Sequence, residues 1–571
     1  MSPALVCILV AGVLWFLATG FRLRDRWRLR HLPLVQPLPF LLGHLSNLRS
    51  KPIYLCYEEW ARKYGGIFLI FFGKNPTVVL SAPELIRQVA VKHFAKFHDR
   101  PSFVAFPSGN NKRLVALRSG LLVSRGGYWG SLRAALTPLF HSAALASYSR
   151  IFNDCAGCLL ERIEAASAGG VAFNVHLLLG RLTMQVIGRT AFGVHFTDYA
   201  AEGEEADMKA GRPNLVAAVK IIFASNSFAP GAFGVGMLFR ILPTWLEPAV
   251  FNLFFRAVGG LAKRLEYARS TFMSTADLLM QAAKRQAVAR GERVQMIETD
   301  WRWWPQRFMD ENPYKGVTPA PNSVIDMLLR ATNKETGQGL TDVQIAAQAN
   351  TLIAAGYETS SNALAFAIYC LATHPEAEAA LLAEMDALGG KAPTAGDLLR
   401  CPYTEAVINE CLRLFPPAHT TTRECTAPGG CTLVGPDGRS YHIPQGMWVH
   451  FSIYGMHRSE EHWGPDALAF RPERFLEEGS SKQRHPDAFI PFGLGPRMCI
   501  GWKFALREMQ VALIRLYQRY TFRLAAAQQQ PLPLRAGITL APAGGVWVTA
   551  HRRGSSGSSG SSGSAAGVVE G

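Results

Sequence analysis

The sequence predicts a mainly α-helical body with small β-sheets, preceded by one N-terminal transmembrane helix. Three observations carry that expectation. Amphipathic stretches with helical spacing dominate residues 84–290 and 341–415. Short β-type runs flank them, and an uncharged apolar segment opens the chain. Composition agrees, since 49% hydrophobic against 18% charged residues excludes a disordered or fibrous chain and supplies a large core.

Residues 3–21 carry no charge, close to the span of about 20 apolar residues that a bilayer requires. Arg22, Arg24, Arg26, Arg28 and Arg30 follow at once, and the positive-inside rule keeps such a cluster cytoplasmic, so the body should face the cytosol. A cleaved signal peptide is the rival reading, through the small residues Ala18, Thr19 and Gly20. Against it, no positive charge precedes the apolar run, and arginines occupy the place where cleavage would fall. Pro33, Pro37 and Pro39 then forbid a continued helix and favour a semi-rigid spacer. The expected organisation is an anchor over 1–21, a basic and Pro-rich hinge over 22–40, the body over 41–552 and a flexible Gly/Ser-rich tail over 553–571.

Within the body, residues 66–72 and 76–80 read as a hairpin around Gly73, Lys74 and Asn75, and 447–453 and 537–550 as later strands. There is no internal repeat. Residues 290–321 carry Trp301, Trp303 and Trp304, either as a loop touching membrane or partner, or as an insertion packed on the body. The phenylalanine-rich stretch 225–260 either dips into the membrane or belongs to the core. Ten scattered cysteines fit a reducing compartment; Cys155 and Cys158 lack a second pair at zinc spacing and sit in a helical pattern. Against 43 acidic residues stand 59 basic ones, and the net +16 admits a nucleic acid, an anionic membrane or an acidic protein as partner. No nucleic-acid-binding motif is present.

Chemistry concentrates in Phe492-Gly-Leu-Gly-Pro-Arg-Met-Cys-Ile-Gly501. A thiolate metal ligand needs a cysteine at a backbone turn with amide N–H groups near the sulfur, and Gly493, Gly495 and Gly501 give Cys499 that freedom. Arg497 is suited to an anionic cofactor group. The bland alternative is a glycine-rich turn beside a buried cysteine.

This segment resembles the cysteine loop of the cytochrome P450 family at each defining position: Phe492, Gly493, Arg497, Cys499 and Gly501. Glu410-Cys-Leu-Arg413 and Pro472-Glu-Arg474-Phe475 are similar to two further motifs, whose Glu and two Arg form a buried structural charge network behind the haem. Trp129-Gly-Ser-Leu-Arg133 matches a helix whose Trp and Arg contact a haem propionate, and Arg423 falls where many members place another propionate arginine. Ala355-Gly-Tyr-Glu-Thr-Ser360 lies within an apolar helix expected over 341–373, where spacing puts Ala355, Glu358, Thr359 and Asn362 on one face. In the family the acid–alcohol pair of that helix, here Glu358 and Thr359, helps deliver protons to dioxygen; the alternative is a threonine bonded back to a carbonyl. Gly356, mid-helix, suggests a need for space.

The resemblance covers nearly all of residues 31–552 and makes 41–552 one catalytic domain, where length alone suggests three or four. It implies the cytochrome P450 fold with haem (heme b) on Cys499, electrons from NADPH through an NADPH-cytochrome reductase, a lipophilic substrate, contact with membrane lipid, and a single-pass anchor in the endoplasmic reticulum membrane with the catalytic domain cytosolic. Residues 485–497 and 504–517 look most like the plant carlactone oxidases, relatives of thromboxane synthase and of broad-specificity drug oxidases, and the membrane-dipping reading of 225–260 favours a terpenoid, carotenoid-derived or fatty-acid-like substrate. Two other functions are weighed: a reductase-independent isomerase or lyase acting on a peroxide, and a non-catalytic haem-binding sensor. The intact Glu358-Thr359 pair and the full set of site residues speak against them.

Overall fold

The computed structural model describes residues 25–39, 43–73, 75–101, 119–196, 204–225, 259–292, 304–321, 323–332, 337–476 and 485–554, together with Val10 and Gly12. Nearly all of the predicted anchor, most of 225–260, Trp301, Trp303 and nearly all of the tail lie outside them. Among the described residues no helix is long and apolar enough to cross a membrane.

Among the described residues four sheets accompany the helices. β1 (Ile67–Phe72) and β2 (Asn75–Leu80) form the predicted hairpin, pairing from Ile67↔Leu80 to Phe72↔Asn75, and all six β1 residues are buried. β3 is Phe173–Asn174, β4 Thr420–Glu424, β5 Cys431–Val434, β6 Ser440–Ile443, β7 Trp448–Ser452, β8 Tyr520–Leu524, β9 Leu534–Ala536, β10 Leu540–Pro542 and β11 Trp547–Arg552. The largest sheet runs β1-β2-β7-β4, with β7 parallel to β2 and antiparallel to β4. A three-stranded sheet runs β3-β11-β8, and β9–β10 and β5–β6 are two-stranded.

The helices that frame the site are α1 (Ile53–Tyr64), α2 (Gly126–Leu136), α3 (Ser142–Ala166), α4 (Val175–Ile187), α5 (Leu215–Ser225), α6 (Gly259–Ala289), α7 (Asp342–Thr373), α8 (Pro402–Leu414) and α9 (Trp502–Arg519). α7 is the axis of the molecule. The side chain of Gln344 accepts a hydrogen bond from the N–H of its N-cap Thr341 at 2.9 Å, one half of a capping box, and Pro375 follows its C-cap His374. Its 32 residues span about 48 Å and are buried on most sides, as an apolar helix without a polar face must be.

Residues 343–357 of α7 pack into an apolar core with α5 and α6, and residues 363–371 into a second with α3, α4, α8 and α9. The turn Glu358-Thr-Ser-Ser-Asn362 lies between these cores and is polar throughout. Polar side chains in a long buried helix are tolerated only with hydrogen-bond partners, so this turn marks where α7 does something other than pack. Gly356 lets α7 approach α4, since a Cβ there would lie 2.9 Å from Cδ1 of Ile187. Trp304 is buried with Phe308 and Tyr314 in the first core, so this part of the tryptophan-rich insertion is packed on the body. Cys155 is buried within α3, in line with the helical reading of its pair.

Candidate active site

The cysteine loop is shaped by its glycines. Gly493 and Gly495 take φ of 79° and 73°, a region that side-chain-bearing residues rarely adopt, and a Cβ on Gly495 would lie 2.0 Å from the carbonyl oxygen of Ala90. Gly501 differs from the expectation: its φ of −94° is ordinary, and its missing side chain instead makes room for the ring of Phe140. The turn closes when the N–H of Cys499 donates to the carbonyl of half-buried Phe492 at 2.8 Å, and α9 departs directly after Gly501.

The Cys499 side chain is accessible although its surroundings are dense, so the thiol opens onto a space inside the molecule. Burial pushes the thiol pKa up, while the Gly501 N–H and the charges of Arg133 and Arg100 favour the thiolate. The amide expected near the sulfur is therefore present.

Around that space gather four guanidinium groups. Arg497 is buried against the face of Trp129, 4.1 Å from its ring centroid, donates from Nε to the carbonyl of His98 and from Nη2 to that of Ser124, and leaves Nη1 without a partner. Arg133 of α2 donates to the carbonyl of Met498 at 2.6 Å, directly before the cysteine. Arg423 of β4 is 1% exposed, and its Nε is unpartnered. Arg100 joins them from the segment after α1 and the first hairpin, donating to the carbonyls of Leu122 and Arg497 and leaving Nε unpartnered. Burial lowers all four of these guanidinium pKa values, with mutual repulsion added at three: Arg497 to about 9, Arg100 to about 10, Arg423 well below its ordinary value, and Arg133, by burial alone, in the same direction. Each remains cationic at neutral pH, so the protein holds buried positive charge with N–H groups still to satisfy.

Thr359 and Ala355 turn the other way from Glu358. Ala355 is exposed within the otherwise buried helix, and the Thr359 hydroxyl donates to its carbonyl at 2.6 Å, the back-bonded arrangement. The Glu358 carboxylate is buried and bound on both oxygens by the β9–β10 region, to Arg535 at 2.7 Å and to Thr539. Asn362 follows it, donating to the carbonyl of Leu540 at 3.0 Å and lying 2.8 Å from His176. The shared face thus divides: Glu358 and Asn362 secure the C-terminal hairpin, and Ala355 and Thr359 face the accessible side. Next to Thr359, Ser360 hydrogen-bonds Glu508 of α9, a buried acid whose pKa burial raises to about 8.

Glu410, Arg413 and Arg474 come together as expected. Arg413 grips Glu410 with two hydrogen bonds of 2.7 Å, and Arg474 reaches the same carboxylate at 3.2 Å. The remaining Arg413 donors satisfy the carbonyls of His457, Ala467 and Ala469, and Asp466 completes Arg474. All three side chains are at most 5% exposed, and this full pairing is what permits buried charge.

A family model described as Cytochrome P450 matches residues 32–548. The chain belongs to the cytochrome P450 family. Over nearly its whole length it is similar to the thromboxane-A synthase of Rattus norvegicus, 28% identical with 96% of each chain covered. It is 30% identical both to cytochrome P450 3A13 of Mus musculus and to the lithocholate 6-beta-hydroxylase of Mesocricetus auratus, covering 90% of this chain and 89% of each relative. It is a P450 oxidoreductase.

The P450 cofactor, a haem with a cysteine thiolate on its iron, fits the residues present. A dianionic group with two carboxylates supplies what three unpartnered guanidinium nitrogens around one thiol lack, and no other donor set among the described residues combines these features. Arg100 was not singled out from sequence. Its signal was available in Asp99-Arg-Pro101, an arginine held in extended backbone by the following proline.

Proposed function

We propose that this P450 is a haem-thiolate monooxygenase that inserts oxygen from O2 into a lipophilic substrate, with electrons from NADPH through a reductase. The observation that carries the reading is the accessible Cys499 thiol, bonded by the Gly501 N–H and ringed by incompletely paired arginines. When bound, haem supplies dioxygen activation, and the thiolate favours O–O cleavage. Trp129, Arg133, Arg423 and Arg497 hold its carboxylates, joined by Arg100; Phe492 and Gly501 shape the loop; Glu410, Arg413 and Arg474 keep α8 against the segment that leads into it. Thr359 holds a proton at Oγ1 on the accessible side of α7, and Glu358, on the other side, is held by Arg535 and Thr539. Lys503, exposed one turn beyond Cys499, suits an acidic reductase surface.

In this proposal residues 1–21 anchor the chain in the endoplasmic reticulum membrane, 22–40 form the hinge, 41–552 the cytosolic catalytic domain and 553–571 a flexible tail. The likeness of residues 485–497 and 504–517 to carlactone oxidases supports a terpenoid or carotenoid-derived, carlactone-like substrate. A second reading, reductase-independent rearrangement of a peroxide, draws support from the thromboxane-A synthase likeness and from a Glu358 carboxylate already engaged on both oxygens.

The deciding experiment is turnover of carlactone by membranes containing the protein, with and without NADPH and reductase, normalised to the reduced-CO thiolate spectrum and read by mass spectrometry. Oxygenated product only with both supports the proposal to substrate level. Peroxide rearrangement with neither would replace it by the second reading.

A further inference from the structure

Asp99 sits where three elements of the site converge. Its side chain is buried, and its Oδ1 accepts the N–H of Gly126 at 2.9 Å, holding the first turn of α2, the helix that carries Trp129 and Arg133. Its Oδ2 accepts from Nε of Arg125 at 3.1 Å, and the same guanidinium reaches Glu424 at 2.9 Å. Its backbone carbonyl accepts from the N–H of Glu424 at 2.8 Å, tying it to the end of β4 beside Arg423. Finally, its carboxylate lies 3.5 Å from Nη2 of Arg497, whose Nε is bound to the carbonyl of the preceding residue, His98. His98 Nδ1 stands 3.0 Å from the same carboxylate.

One buried carboxylate therefore touches the cysteine loop, the N-terminus of α2 and, through Glu424, the strand of the third arginine. Arg100, Arg133 and Arg423 have no carboxylate within ion-pair distance among the described residues, whereas Arg497 has Asp99. We infer that Asp99 is a positioning residue for the cofactor: it aims Arg497 and α2 at the haem carboxylates, and its negative charge offsets the arginine cluster and so sets how easily the haem is reduced. This rests on the haem-thiolate reading above. It goes beyond that reading by assigning to a residue outside all the recognised motifs a role in retention and redox poise. Removing a negative charge near a redox centre favours the reduced state, and removing a positive one favours the oxidised state.

The test uses the full-length holoprotein, after the parent has shown its reduced-CO thiolate spectrum; failure of the parent at that step would sink the haem reading itself, whereas failure confined to the variants bears on Asp99 alone. Asp99→Asn keeps an oxygen for the Gly126 N–H but removes the charge. It is expected to move the haem reduction potential positive and to speed haem loss to apomyoglobin about tenfold, the factor carried by one charge-assisted hydrogen bond. Asp99→Glu should restore most of the potential. Arg125→Gln, at a half-exposed side chain, should move the potential the opposite way, which keeps the inference testable if the Asp99 variants do not fold. Parental potential and haem retention in Asp99→Asn would overturn it. So would a parental potential in Arg125→Gln with no folded Asp99 variant.

Discussion

Cys499 and Thr359 are proposed to serve different steps, and their substitutions should separate ligation from proton supply. Cys499→Ala is expected to lose both the thiolate spectrum and turnover, whereas Thr359→Ala should keep the spectrum and divert NADPH consumption from product to reduced oxygen. Measuring product per NADPH in the second variant decides the role of its hydroxyl, and unchanged coupling would remove it from the mechanism. Glu508 makes a prediction of another kind. Its carboxyl is held near 8 in the fold and returns to about 4.3 on unfolding. Below the lower value both states are protonated. Between the two only the unfolded chain releases its proton, so native stability declines as pH rises from about 4.3 to 8. Glu508→Gln, which removes the titration, should flatten melting temperature against pH across that window and be more stable than the parent at pH 8 by an order of 2–5 kcal/mol. Parallel curves would mean that Glu508 is ionised in the native protein. At this scale the motifs named the thiol, the alcohol and most arginines. The direction in which Glu358 points was not legible, because residues 358 and 359 are adjacent and a helix turns by about 100° between them.

Among the elements, α7 was the most legible: its predicted span of 341–373 meets an observed Asp342–Thr373, since a long apolar run with a polar N-cap and a following proline leaves little choice. The hairpin was equally plain from its turn residues. The pairing of β2 with β7 was not, because these strands are distant in the chain and nothing local encodes a parallel partner. α8 carries a prediction at this level. Glu410 neutralises two arginines that bind five backbone carbonyls around it, so Glu410→Ala leaves Arg413 and Arg474 buried without their shared anion. Removing one partner of a buried pair costs about 3–5 kcal/mol, and chemical denaturation of the holoprotein should read that loss even though the residue is remote from the thiol. A midpoint within error of the parent would show that the network is dispensable.

At the scale of the molecule, the catalytic body and the membrane segment are proposed to be separable. A chain beginning at Asp25 should therefore keep the reduced-CO spectrum while moving from the membrane pellet toward the high-salt supernatant. Loss of the spectrum would show that the N-terminal segment is needed for folding, and full retention in the pellet would place the dominant membrane contact in the body. The sequence by itself determined the family, the cysteine, the charge network and the long apolar helix α7, because each is written as a local motif whose spacing survives without knowledge of neighbours. Only the tertiary structure decided that Arg100 and Asp99 belong to the site, that Glu358 is secured to the C-terminal hairpin, and that Gly501 serves Phe140 and the sulfur instead of a strained turn. These are contacts between segments remote in the chain, and long-range packing, unlike a motif, is a property of which surfaces the folded core brings together.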